Sequence, residues 1–348
     1  FLDALSKEQN NYKMAEKKII KVLSIDGGGV RGLIPAMVLA DIEQRTGKPI
    51  SELFDLIAGT STGGLLSLGM VTPDATGRPA YTAQDMVDLY SKRGNELFQR
   101  DLWGRIMSNF FDQKYDAAPL ENILDEYFAE TRLKDVLTDV IVTSYAIERR
   151  IPWFFKSMKA KTQKKHDYLL KDIARSTSAA PTFFEPKKVS VKDVTAFAAM
   201  IDGGIYANNP AMCAYVEAVN RFPNADEILL VSLGTGELIR PYLYSEVKDW
   251  GLASWVAPLL NMMFHGADCT VDYQLKTLLC TTNDNSQRYY RFQAKLTDET
   301  EDMDNVRPDN IEALQAITEK QILANMSEDL ARLCQTLVDV ETPVFMIS

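Results

Sequence analysis

Histidine is the scarcest chemically useful residue in this 348-residue chain, which holds only His166 and His265. That scarcity excludes zinc sites of the zinc-finger kind, which need clustered cysteine and histidine. The four cysteines, Cys213, Cys269, Cys280 and Cys334, do not make up the deficit: they are scattered, show no CxxC spacing, and read as reduced thiols in or near a core. Basic excess is also lacking. Lys and Arg number 38 against 48 Asp and Glu, and the net charge of −10 argues against a nucleic-acid partner and offers no long-range attraction to anionic lipid. No apolar run reaches the roughly 18–20 residues of a membrane span. Residues 1–13 (FLDALSKEQNNYK) are polar, without the hydrophobic block of a secretory signal, so a cytoplasmic location is the expectation. They read as an extension ahead of a natural-looking start at Met14.

What is present suits a globular enzyme. A hydrophobic fraction of 46% beside 25% charged residues supplies a core without disulfides. No repeat, low-complexity tract or linker divides the chain. A core over 18–240 is expected, with 241–348 as a mainly helical part of the same domain.

The apolar run Lys18–Ile25 stops at Asp26 and a glycine cluster, which predicts a buried strand running into a loop. A helix is expected over 33–46, closed by Gly47. A second strand, Phe54–Ala58, enters GTSTGG, and a small-residue helix follows from Thr62 to Met70. This strand–turn–helix alternation builds a mostly parallel sheet covered by helices. Paired strands are expected at 138–146 and 152–157, a helix at 169–178, a strand at 196–201, a helix at 211–221 and a strand in EILLVSLGTGE. Residues 156–166 read as a solvated basic loop. Further helices are expected from Trp250 to Leu279 and over 308–338.

Three short segments carry chemistry. Gly59-Thr60-Ser61-Thr62-Gly63 fits G-x-S-x-G, in which the flanking glycines allow the tight strand-to-helix turn that lifts a serine hydroxyl out of the sheet. Asp26-Gly27-Gly28-Gly29-Val30-Arg31-Gly32 follows the first strand. Its consecutive glycines let backbone N–H groups converge on an anion, as an oxyanion hole requires, with Arg31 holding the loop or a lipid phosphate. The same loop satisfies GxGxxG through Gly27, Gly29 and Gly32, which keeps a nicotinamide-dependent enzyme as an alternative. Against it, the acidic residue near the required offset, Glu52, precedes the second strand instead of ending it. Asp202-Gly203-Gly204 is the third segment. Strand carboxyl ends lie along one edge of a parallel sheet, so Asp202, Ser61 and the glycine loop are expected to meet there. A triad of Ser61, Asp202 and His265 is formally allowed by its chain order.

Together these segments resemble the patatin-like phospholipases over about Lys21 to Gly236, with TSAAPTFF at 177–184 and ANNP at 207–210 as further similar blocks. The resemblance implies a three-layer α/β/α fold and a Ser61–Asp202 dyad without histidine. It further implies an oxyanion loop of Gly27, Gly28, Gly29 and Arg31, a nucleophile elbow flanked by Gly59 and Gly63, and no metal or cofactor. The implied activity is phospholipase A or lysophospholipase chemistry on glycerolipid esters. A catalytically silent or ligand-gated lipid-binding module on the same fold is the alternative from another class. Substrate access and peripheral membrane contact fall to the aromatic patch at 102–115 and to WGLASWVAPLLNMMF, where Trp250, Trp255, Met262 and Met263 suit a lipid interface. An ordinary core helix is the plainer account of that second segment. Some members of the family await an activating ligand or partner, a purpose the C-terminal region could serve.

Overall fold

A computed structural model describes residues 18–97, 116–181, 183–190, 197–238, 241–279, 287–297 and 300–339. The aromatic patch at 102–115 and residues 1–13 lie outside these. The strands are β1 (Ile19–Ile25), β2 (Leu56–Gly59), β3 (Asp139–Ala146), β4 (Ile151–Lys156), β5 (Lys187–Ser190), β6 (Phe197–Asp202), β7 (Glu227–Leu233) and β8 (Tyr289–Phe292). The principal helices are α1 (Leu33–Thr46), α2 (Thr62–Val71), α3 (Ala83–Leu97), α4 (Ala118–Phe128), α5 (Leu170–Thr177), α6 (Ala211–Arg221), α7 (Leu252–Leu279), α8 (Pro308–Thr318) and α9 (Ser327–Val338).

β1 lies in the middle of an eight-stranded sheet of order β5-β6-β3-β2-β1-β7-β8, with β4 also paired to β3. Its apolar side chains alternate between two cores. Leu23 and Ile25 join the larger one with α1 and α2, while Ile20 and Val22 join the smaller one with Ala211, Ala214 and Ala218 of α6 and Leu275 of α7. A strand covered on both faces needs this continuous apolar run, and the outcome is helices on either side of a central sheet. β1 pairs in parallel with β2 and β7, β2 with β3, and β7 with β8. β3 pairs antiparallel with β4 and β6, and β5 antiparallel with β6. The sheet is therefore mostly parallel with an antiparallel margin.

Besides its helices, the region after 240 adds β8, a parallel strand beside β7, and Lys295–Leu296, which pairs with Glu237–Leu238. Two findings depart from the sequence reading. The stretch 156–166, read as a solvated loop, carries a short helix at Ser157–Thr162 and a helical turn at Lys164–His166. The helix expected over 308–338 is two helices, α8 and α9, separated by a wide turn at Glu319–Ala324.

Along β3, the register sets up the site. β4 takes one flank over Ile141–Ala146. The other flank is shared: β2 covers Asp139–Val142 and β6 covers Ser144–Ala146. β2 and β6 run in opposite directions, so their carboxyl ends meet head-on, with Gly59 opposite Val142 and Asp202 opposite Ser144. Two residues of strand separate those levels, roughly 7 Å.

Candidate active site

Ser61 sits where β2 becomes α2, with φ of 54° and ψ of −122°. A non-glycine residue holds such a conformation only when its surroundings fix it. Here the Ser61 amide donates to Thr177 Oγ1 at 2.8 Å, and the Thr177 hydroxyl donates to the Thr143 carbonyl on β3 at 2.7 Å. Thr60 adds a second tie, its hydroxyl donating to the Ala207 carbonyl at 2.6 Å. Gly63 must be glycine because a Cβ there would fall 2.2 Å from the Ile25 carbonyl oxygen, and one on Gly59 would fall equally close to the Gly63 carbonyl. The turn is thus wedged against β1. Thr62 at the start of α2 is hydrogen-bonded to the Tyr90 hydroxyl on α3. Ser61 stays partly exposed between buried Thr60 and Thr62.

Asp202 is 4% exposed. Its Oδ1 accepts the Gly204 amide at 2.7 Å, and its own amide donates to the Ala179 carbonyl at 3.0 Å. Burial pushes its carboxyl up to about 6, partly offset by hydrogen bonding with the Ser61 hydroxyl and the Gly204 amide. A carboxylate with this proton affinity is suited to take a proton near neutral pH. The sequence reading expected Asp202 to share a parallel edge with Ser61. The two do meet, but because antiparallel β6 arrives end-on to β2.

The glycine loop lies directly against the serine: a Cβ added at Gly27 would be 3.3 Å from Ser61 Cβ. Its amides divide into two sets. Gly27 donates to the Asn208 carbonyl at 3.0 Å and Val30 to the Met303 carbonyl at 2.8 Å, so neither amide is free for a ligand. No hydrogen bond among the described residues uses the Gly28 or Gly29 amide. Gly29 has φ of 61°, and a Cβ there would fall 2.1 Å from the Met303 carbonyl oxygen, which only glycine tolerates. Arg31 is buried beneath the loop. Its Nε donates to the Gly28 carbonyl at 3.3 Å and its Nη1 to the Glu301 carbonyl at 3.4 Å. Burial lowers it to about 10, opposed by Asp268, Glu301 and Asp302, so it remains a cation at neutral pH. These contacts hold the loop.

Asp26 opens the loop and is 1% exposed. Burial pushes its carboxyl upward, and a 2.6 Å bond from Arg291 Nη2 on β8 opposes that push. Arg291 Nη1 also donates to Ser232 Oγ at 2.8 Å. Asn208 links the loop to α7, its Nδ2 lying 3.4 Å from Asp268 Oδ2. Arg291 escaped the sequence reading because no motif marks it. Thr177 lay inside a quoted segment whose individual roles were unassigned.

Neither histidine joins this cluster. His166 lies beside Trp153, with ring centroids 6.3 Å apart, and His265 faces Cys269 Sγ from an exposed stretch of α7, its Nε2 3.5 Å away. Glu52 is exposed on a short helical turn, Ile50–Leu53, ahead of β2 and cannot serve as a ribose-gripping acid at a strand end. A partly exposed serine hydroxyl, a buried carboxyl and two unengaged amides on one loop form an arrangement fit for acyl transfer.

A pocket of about 240 Å³, lined by Tyr81, Asp85, Arg93 and Glu126 among others, lies between α3 and α4 and shares no lining residue with this cluster. Among the described residues no helix is long and apolar enough to cross a membrane.

The family model described as patatin-like phospholipase matches residues 23–215. Patatin-T5 of Solanum tuberosum is 32% identical, with 90% of this chain and 86% of that protein covered. Patatin-like protein 2 of Arabidopsis thaliana is 31% identical, with 85% and 81% covered. A Solanum tuberosum protein named probable inactive patatin-3-Kuras 1 is 32% identical, with 90% and 88% covered. With the family model spanning more than half the sequence and relatives aligned along most of it, the chain belongs to the patatin-like phospholipase family, which supports lipid acyl hydrolase activity in general.

Proposed function

We propose that this protein is a serine acyl hydrolase of the phospholipase A or lysophospholipase type, with Ser61 as nucleophile and Asp202 as its general base. The observation that carries this reading is a serine on a positive-φ turn facing a buried carboxyl held at about 6, with no histidine beside them. Ser61 Oγ attacks the acyl carbonyl of a glycerolipid ester as its proton passes to Asp202. The carbonyl oxygen becomes an oxyanion facing the Gly28 and Gly29 amides. Collapse breaks the ester C–O bond, and Asp202 returns the proton to the departing alcohol. Water then attacks the acyl-enzyme with Asp202 again as base, releasing the fatty acid and restoring Ser61.

Lipid approach is assigned to α7 and the segment before it. Trp250 packs edge-on against both Tyr242 and Trp255, and Leu259 and Met263 are about half exposed nearby. Such a surface suits peripheral contact with a membrane.

The test is labelling with a fluorophosphonate, located by peptide mapping, alongside fatty-acid release from phospholipid and lysophospholipid vesicles. Wild type is expected to take one adduct on Ser61 and to release fatty acid, while Ser61→Ala does neither. An unlabelled, inactive wild type in the presence of vesicles would favour a silent lipid-binding module, and the relative named as probably inactive makes that arm informative.

A further inference from the structure

A planar trans peptide carries its C=O and N–H on opposite sides, so a hydrogen bond that fixes one end of the unit aims the other. Two peptide units of the glycine loop are fixed in this way. The Gly28 carbonyl accepts from the Arg31 amide and from Arg31 Nε, each at 3.3 Å, which turns the Gly29 N–H away from Arg31. The Gly27 carbonyl accepts the Thr235 hydroxyl at 2.6 Å in a buried contact, which turns the Gly28 N–H away from Thr235.

Thr235 is well placed to enforce that direction. It is 3% exposed and in direct contact with the loop: a Cβ on Gly28 would fall 2.2 Å from Thr235 Oγ1. Its β-branched side chain has few rotamers to choose from. The turn that carries it is pinned on both sides. Gly234 donates to the Phe292 carbonyl at 2.9 Å, Gly236 to Gln293 Oε1 at 2.7 Å, and Glu237 to the Ala294 carbonyl at 2.9 Å. The hydroxyl is thus referenced to β8, and the loop is referenced to the hydroxyl.

We propose that Thr235 is a positioning residue for the reaction: by holding the Gly27 carbonyl, its hydroxyl aims the Gly28 amide at the oxyanion. This rests on the acyl-hydrolase reading above. Thr235 lies beyond residues 23–215, the stretch matched by the family model. Without the hydroxyl, the 27–28 peptide unit is free to rotate and the Gly28 dipole is no longer fixed when charge develops. Catalysis loses more than substrate binding does, because the interaction is made in the transition state.

The experiment compares Thr235→Val, which keeps the shape and removes the donor, with Thr235→Ser, which keeps the donor. Hydrolysis of a chromogenic acyl ester is measured per fluorophosphonate-titrated site, with the phosphonylation rate, the pH profile and thermal unfolding recorded for each. Thr235→Val is expected to lose about 10- to 100-fold in kcat, somewhat less than outright removal of an oxyanion donor, with KM within about twofold. Phosphonylation slows in step. The acid limb of the profile stays near pH 6 because Asp202 is untouched. Thr235→Ser is expected within about threefold of wild type by the same reasoning.

A Thr235→Val enzyme that melts lower but turns over normally per titrated site would overturn the proposal, since a purely structural hydroxyl behaves that way. If Thr235→Val does not fold, Gln293→Met loosens the turn without touching the loop. A kcat loss of about 3- to 10-fold at unchanged KM then supports the proposal, and unchanged kcat refutes it. A wild type that neither labels nor hydrolyses removes the acyl-hydrolase reading and this inference together. An active wild type matched by Thr235→Val removes this inference alone.

Discussion

The segment matched by the family model and the segment after it divide the site between them. Residues 23–215 hold every group assigned to the chemistry: Ser61, Asp202, and the Gly28 and Gly29 amides. Residues beyond 215 supply none of these, yet they brace the glycine loop through Thr235, Arg291 and the Met303 carbonyl. The reacting groups thus come from one part of the chain, whereas the groups that hold them come from both: Thr177, Asn208 and Arg31 brace from within residues 23–215, and Thr235, Arg291 and Met303 from beyond it. A bracing group needs only a donor, acceptor or charge at the right place, whereas a nucleophile on a tight turn needs a particular residue within a particular glycine pattern.

That comparison can be sharpened by changing one member of each set. The largest effect is expected from Asp202→Asn, which removes the proton acceptor and should lower kcat by about 10²- to 10⁴-fold. In wild type, kcat/KM is expected to rise with pH through about 6 as Asp202 deprotonates. The same variant should behave oppositely in stability. Because the folded protein holds the Asp202 proton more tightly than the unfolded chain does, this group costs stability progressively between about pH 4 and pH 6, and fully above that. Asp202→Asn should therefore be more stable than wild type above pH 6, by about 1–3 kcal/mol, with the gain vanishing near pH 4. Thermal unfolding across that range checks the sign.

A bracing residue should show the reverse profile. Arg291→Gln leaves Asp26 buried without its cationic partner, and breaking such a pair costs about 3–5 kcal/mol. Denaturant unfolding is expected to show that loss, with part of it recovered in the Asp26→Asn, Arg291→Gln double variant. Equal stability of the single and double variants would remove the pair from the account.

The smallest effect concerns α7, whose two ends differ. Its later half is anchored through buried Leu275 and Leu279, while Leu259 and Met263 in its earlier half stand about half exposed. Trp255→Ser is expected to reduce flotation with phospholipid vesicles by a few-fold and leave hydrolysis of a dispersed short-chain ester unchanged. Unchanged flotation would return the whole helix to a packing role.

Much of the fold was legible because it follows from local rules. α1 covers the expected span 33–46, and the pairing of β3 with β4, though not its direction, was read from two adjacent apolar runs. The candidate site was legible as residue types at strand ends. What escaped is nonlocal. Nothing near Asp202 announces that β6 runs antiparallel to β3, because strand direction depends on connections and not on composition. β8 is only four residues long and carries two tyrosines and an arginine, too short for periodicity to expose. Arg291 and Thr235 act on residues 265 and 208 positions away, distances over which a spacing pattern says nothing.

The position of Met303 so late in the chain has a consequence for synthesis. Asp202, the later of the two reacting residues, is polymerised about a hundred residues before the carbonyl that meets Val30. At roughly 5–20 residues per second, some 5–20 seconds separate them on the ribosome. During that interval a nascent chain holds its reacting side chains but lacks β8 and the braces that fix the glycine loop. Chains arrested before Tyr289 should accordingly take up no fluorophosphonate, the behaviour expected of a site that becomes competent only once β8 pairs with β7.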